Sequence, residues 1–162
     1  MSKYTNFNKS LEQRFIKYAK IDTQSDPASP TCPSTEKQKN LGKNLVQELL
    51  EIGISDAEMD ENGYVYGTIP ATSEKKLPVI FFCSHMDTSP DCSGENVKPI
   101  IHDNYQGQDL ILPDDPSIVL KMAEHKDLKH QIGNDIITAS GTTLLGADNK
   151  AGLAAIMEAA SF

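Results

Sequence analysis

The chain has 162 residues, about the length of one ordinary domain. Its 15 Lys and Arg against 23 Asp and Glu give a net charge of −8 and a pI near 4.9, with no basic run, which argues against nucleic acid or an anionic membrane as a partner. No fully apolar run is longer than Val79–Cys83, far short of the ~20 residues of a membrane span; the first eight residues lack the apolar stretch of a secretory leader; and three Cys without metal-finger spacing fit free thiols in a reducing compartment, so a cytoplasmic protein is expected.

In chain order, Ser10–Ile21 is predicted to be a helix. Leu11, Phe15 and Tyr18 recur at helical spacing, and Ile16 and Ala19 widen the stripe. Asp22–Ser34 carries Pro27, Pro30 and Pro33 among Ser, Thr and Asp, and reads as loop. Thr35 with Gln38 has the form of a capping box, after which Leu41, Leu45, Leu49 and Ile52 repeat until Gly53 stops the helix. Asn62-Gly63 predicts a type I′ hairpin turn between 57–61 and 64–69. Val79–Cys83 is apolar without alternation, the pattern of a strand buried on both faces. The stretch from Ser89 to Gly133 resists assignment beyond the apolar Leu110–Leu112 and a short helix within 116–128. Ile136–Thr138 reads as a strand, Gly141–Asp148 as a turn-rich segment and Lys150–Ala160 as an Ala-rich helix. Helices interleaved with apolar strands place the chain in the α/β class, as part of a mixed, mostly parallel sheet flanked by helices. The last helix meets no Gly, Pro or polar tail, so the complete protein is expected to continue past it.

Two segments carry residues suited to chemistry. Ser84-His85-Met86-Asp87-Thr88 follows the expected strand, and ligand sites in open α/β sheets lie beyond the carboxyl ends of strands. Residues i and i+2 of an extended segment point the same way, so the Asp87 carboxylate can hold one nitrogen of His85 while the other binds a metal. A plain surface His beside an Asp is the competing reading. The second segment is Gly141 to Gly152, where Asp148 in a Gly-rich turn before a helix suits a divalent metal as a hard ligand, or serves only as an N-cap. Gly141 and Gly146 have the spacing of a phosphate loop, but Ala147 and Asp148 stand where Lys and Ser or Thr are required, and Asp148 would repel a phosphate. Cys83 next to His85 raises a thiol nucleophile, against which its apolar surroundings predict a buried, inert side chain. Cys92 is expected to be more exposed. His102, His125 and His130 read as solvated or locally bonded, and Lys37, Lys39 and Lys43 as the wet face of a helix.

Arg14-Phe15-Ile16-Lys17-Tyr18, Asp22-Thr23-Gln24-Ser25, Pro33-Ser34-Thr35-Glu36, the run from Ser84 to Gly94 and the run from Thr143 to Gly152 follow one another in an order that resembles the tripeptide-aminopeptidase branch of the di-zinc aminopeptidases and carboxypeptidases. The resemblance spans nearly the whole chain. It implies that His85 binds one zinc, that Asp87 orients and polarises His85, and that Asp148 bridges two zinc ions, with a cis peptide at Asp148–Asn149. It further implies a tripeptide substrate, metal-assisted hydrolysis of its first peptide bond, and compatibility with a homo-oligomer. Residues 1–162 would then be the amino-terminal part of the catalytic domain. The general-base Glu, its neighbouring Glu ligand, a further Asp and a distant His have no counterpart in Ala151–Ala160, where Glu158 is the only carboxylate, and the lid or dimerisation domain is also absent. The chain alone is therefore expected to be inactive, to bind zinc weakly and to self-associate. Two rivals stand beside this reading: a non-catalytic metal-binding or interaction module of the same fold, and a thiol enzyme using Cys83 with His85.

Overall fold

A computed structural model describes the backbone from Lys3 to Phe162 and side chains from Asn8 onward. Helix α1 (Lys3–Ala19) presents Phe15, Tyr18 and Ala19 to the interior, as the spacing predicts. Helix α2 (Gln38–Glu51) buries Leu41, Leu45 and Leu49 on one face. It ends where Gly53 takes φ +96° and its N–H donates to the Leu50 carbonyl, while Ile54 N–H reaches Leu49. The capping box does not form. Thr35 Oγ1 donates instead to the Gln24 carbonyl at 2.7 Å, because the preceding loop folds back over the helix start.

The hairpin of β1 (Glu58–Met59) and β2 (Val65–Tyr66) is antiparallel, and Gly63 sits in its turn at φ +88°. Asn62 has no positive φ, so the turn is not type I′. Gly63 N–H donates to Asp60 and Asp60 N–H to Tyr64, a three-residue loop with a left-handed Gly, steadied by the Asp60 carboxylate on the Tyr64 N–H. Gly42 lets α2 close on this hairpin, since a Cβ there would lie 2.4 Å from Met59 Sδ.

Beyond Ser89, β3 (Ile100–His102) pairs antiparallel with β6 (Ile136–Thr138), and β4 (Leu110–Ile111) with β5 (Val119–Leu120). A 3-10 helix covers Lys126–Gln131, so the short helix expected within 116–128 lies later, and β5 occupies part of that range. Tyr105, Val97, Leu110, Leu112 and Ala139 are buried in this region. Helix α3 (Ala147–Ala160) is kinked at Asp148 and Asn149 and regular from Lys150, as its Ala-rich run predicts.

The main core joins Phe15, Tyr18 and Ala19 to Leu41, Leu45 and Leu49 and to Leu153, Ala154 and Met157, so three helices share one apolar centre. Beside it runs a polar seam. Arg14 pairs with Glu48 and, at 3.0 Å, with Glu158; Tyr18 and Lys17 each donate to Glu48 at 2.6 Å; and Ser10 donates to Glu158.

The combination of helices and short strands is that of an α/β chain. Its ladders differ from the expected parallel sheet: among the described residues each named ladder is antiparallel, and the parallel contact is one isolated bridge, Gln24 with Thr88. Val79–Cys83 forms no strand, and Val79 to Phe82 are 71% to 95% exposed. An apolar run is buried only if neighbours flank it, and no described strand does. Cys83 is exposed for the same reason, against its expected burial. No described helix is long and apolar enough to cross a membrane.

Candidate metal centre

Residues 21–25 act as a splint under the loop that carries His85. Thr23, fully buried, donates from Oγ1 to the Met86 carbonyl at 2.7 Å, and its own carbonyl accepts from Thr88 N–H at 3.1 Å. Ser25 donates to the Thr88 carbonyl from both its N–H and its hydroxyl, each at 2.9 Å. The splint also reaches α3, because Lys150, 1% exposed, donates to the Ile21 carbonyl at 2.7 Å. Ser84 Oγ completes the link by donating to the Asn149 carbonyl at 2.8 Å. The two chemical segments, 63 residues apart, are thereby fixed side by side.

His85 Nδ1 lies 3.1 Å from the Asp87 carbonyl oxygen and 3.3 Å from its Oδ1, while Nε2 lies 3.1 Å from Asp148 Oδ1. Asp87, the expected partner, meets the imidazole, and so does Asp148, the other expected site residue. Asp148 does not serve as an N-cap: it has non-helical angles at the kink before the regular helix, and its carboxylate is turned to His85. Gly146 sits close against Thr88, whose Cγ2 would be 3.1 Å from a Cβ. The Asp148–Asn149 peptide is cis. Partial burial lowers the His85 pKa, but the hydrogen bonds to Asp148 and the Asp87 backbone and the charges of both carboxylates outweigh it, so the net shift is upward. The Asp148 side chain is 95% exposed. A cavity of about 310 Å³ opens here, lined by His85, Thr88, Ser89, Leu144, Gly146 and Asp148.

The donor set fits a divalent metal in part. An imidazole nitrogen and a carboxylate oxygen 3.1 Å apart are near the roughly 3.3 Å that separates adjacent ligands of a tetrahedral ion. Among the described residues, however, no group of three or more His, Cys, Asp or Glu converges so as to hold a metal ion. Glu158 contributes nothing here, being buried and committed to Arg14 and Ser10. The thiol arrangement does not form either, since both ring nitrogens of His85 face Asp87 and Asp148 and none is left for Cys83. His102 bonds locally to Thr138, and His125 and His130 are exposed. A second cavity of about 360 Å³ between α1 and α2 is lined by Arg14, Lys17 and Glu48, which already satisfy one another.

Chemical reasoning on the sequence did not single out Thr23, Ser84 or Lys150 as supports, and it left Lys37 on a wet helix face. Lys37 in fact pairs with Asp22 at 2.7 Å. Burial raises the Asp22 pKa, but the Lys37 hydrogen bond, the Gln24 N–H and the charges of Lys37 and Lys150 bring the net shift down. Burial lowers Lys150 to about 8, against the pull of Asp22. These partners lie 15 to 129 residues apart, and no local pattern announces them.

No protein-family model matches the chain. It is 54% identical over 147 residues to a peptidase T of Bacillus pumilus, covering 91% of this chain and 36% of the relative. It is 54% identical over 151 residues to a peptidase T of Aliivibrio fischeri, covering 93% and 37%. The crystal structure of a tripeptidase from Staphylococcus aureus superposes with a TM-score of 0.59 at 25% identity, over 94% of this chain and 31% of that one. The chain thus spans little more than a third of the length of the curated relatives it matches.

Proposed function

We infer that this chain, a relative of peptidase T along more than nine-tenths of its length, contributes one imidazole and one carboxylate to the centre of a cytoplasmic, zinc-dependent tripeptide aminopeptidase. The observation that carries the reading is the 3.1 Å approach of His85 Nε2 to an Asp148 carboxylate that is otherwise open to solvent. Asp87 accepts at Nδ1, which fixes the tautomer with its lone pair on Nε2 and makes that nitrogen a better ligand. Asp148 offers a second oxygen to the cavity, the arrangement a bridging carboxylate needs. When bound, zinc acidifies a water and polarises the scissile carbonyl. In this reading the chain is the amino-terminal part of the catalytic domain, and the general base and further ligands belong to the rest of the protein.

The test is the release of the first residue from tripeptides by the complete gene product and by these 162 residues. The complete product should hydrolyse them, lose the activity to a chelator, and lose at least about a thousandfold with His85→Ala or Asp148→Ala, since both remove ligands. The 162 residues alone should give no turnover. An inactive complete product would overturn the reading. Among the described residues no third ligand converges, which favours one alternative, a non-catalytic metal-binding or interaction module, and that result would support it.

A further inference from the structure

One hydrogen bond joins the two donor-bearing segments right beside the donors. Ser84 Oγ donates to the Asn149 carbonyl at 2.8 Å, and these two residues are the chain neighbours of His85 and Asp148. The Ser84–Asn149 bond and the His85–Asp148 contact are therefore adjacent rungs between the same segments. The His85 carbonyl, 3.5 Å from the same hydroxyl, is too far to compete for it. Other direct links, from Leu144 N–H to the Ser93 carbonyl at 2.9 Å and from Cys92 Sγ to the Thr142 carbonyl, lie farther along both segments. Thr23, Ser25 and Lys150 act through residues 21–25 and do not span the donors directly.

We propose that Ser84 is a positioning residue for the metal: its hydroxyl holds the Asn149 carbonyl so that His85 Nε2 and Asp148 Oδ1 keep the separation of adjacent ligands. The proposal rests on the reading of these two residues as zinc ligands. The 3.1 Å contact between them is a hydrogen bond, which needs a proton between nitrogen and oxygen. A nitrogen that ligates a metal has given up that proton, so the contact no longer binds the two side chains to each other. The Asp148 side chain is 95% exposed, and among the described residues its carboxylate meets no partner but His85. The Ser84 bond, made by two groups that do not ionise, persists beside the pair and keeps the segments in register. Ser84 is half-buried in a loop, so its removal disturbs the spacing of the donors far more than the core.

The test is the zinc dissociation constant of the complete gene product, read by competition with a chromophoric chelator. Ser84→Ala should weaken zinc binding about 10- to 100-fold, the usual cost of losing a group that orients a ligand. Ser84→Thr keeps the hydroxyl and should restore the affinity. With cobalt(II) in place of zinc, the visible ligand-field absorption reports donor geometry; it should change in Ser84→Ala and return in Ser84→Thr. The melting temperature of the chelator-treated protein should fall by no more than about 4 °C in Ser84→Ala, since one half-exposed hydrogen bond is lost. Glu48→Gln, in the seam between the helices, should lower the melting temperature and leave zinc affinity unchanged. If His85→Ala and Asp148→Ala lose zinc while Ser84→Ala matches the unaltered protein in affinity and cobalt spectrum, the proposal alone is overturned. A loss equalled by Glu48→Gln also overturns it, as general destabilisation, and so does one that Ser84→Thr fails to restore. If His85→Ala and Asp148→Ala bind zinc as tightly as the unaltered protein, the reading of the site fails and this proposal with it.

Discussion

Thr23 shows how much of the site depends on residues that never touch it. Its hydroxyl is the partner of the Met86 carbonyl, in the loop between His85 and Asp87. Thr23→Val keeps the shape and removes the donor, leaving a polar group unsatisfied at a cost of about 1–3 kcal/mol. Urea denaturation should show that loss, and Thr23→Ser should recover most of it. His85 sets a second expectation. Its raised folded pKa means the imidazolium–carboxylate contacts add stability that is fully present below the unfolded value and lost as pH rises through the folded one. A proton on Nε2 also excludes a metal, so zinc affinity of the chain should climb with pH through that same titration and then level off. Calorimetric titrations across the range would show it, and His85→Gln should flatten the profile. The structure brings together His85, Asp87 and Asp148 from runs the sequence already singled out, because each lies in a short, chemically distinctive segment. Thr23, Ser84 and Lys150 were not singled out, because their roles exist only through partners distant in the chain.

At the scale of elements, periodicity announced the helices and failed for the apolar run at 79–83. Leu41, Leu45 and Leu49 face the core because a helix has only one inward side, which its own spacing defines. A strand has no such autonomy; its burial is conferred by neighbours, so the sequence of Val79–Cys83 states a capacity and not an outcome. The helices are joined by more than apolar packing. Burial raises the Glu48 pKa, but Lys17, Tyr18 and Arg14 together bring it below the ordinary value. The stability Glu48 provides is therefore present above its unfolded pKa and is lost as pH falls through the folded one. Glu48→Gln should lower Tm at neutral pH and reduce its fall on acidification, and thermal melts from neutral to acid pH measure both.

For the molecule as a whole, the α/β class was legible from the alternation of elements, while the region from Ser89 to Gly133 was not. Its two ladders are two or three residues long, too short for a period to register, and pairings such as Ile100 with Thr138 reach across the sequence. The same region has a property that follows from where it leaves and returns. Leu144 N–H donates to the Ser93 carbonyl at 2.9 Å, so the excursion between them begins and ends at one point. Its buried Val97, Tyr105, Leu110 and Leu112 lie outside the three-helix core, which the excursion touches through Ile137. Such an excursion is an interchangeable cassette: closing its ends costs an entropy that varies only slowly with length. Replacing residues 95–142 by a short Gly-Ser linker removes the Ile137 contact with the three-helix core but should leave that core cooperative in denaturation and His85 beside Asp148, as the cross-peaks between them in a nuclear Overhauser spectrum would report. The loops around the donors are thus free to diverge in size and shape while the donors themselves stay in place.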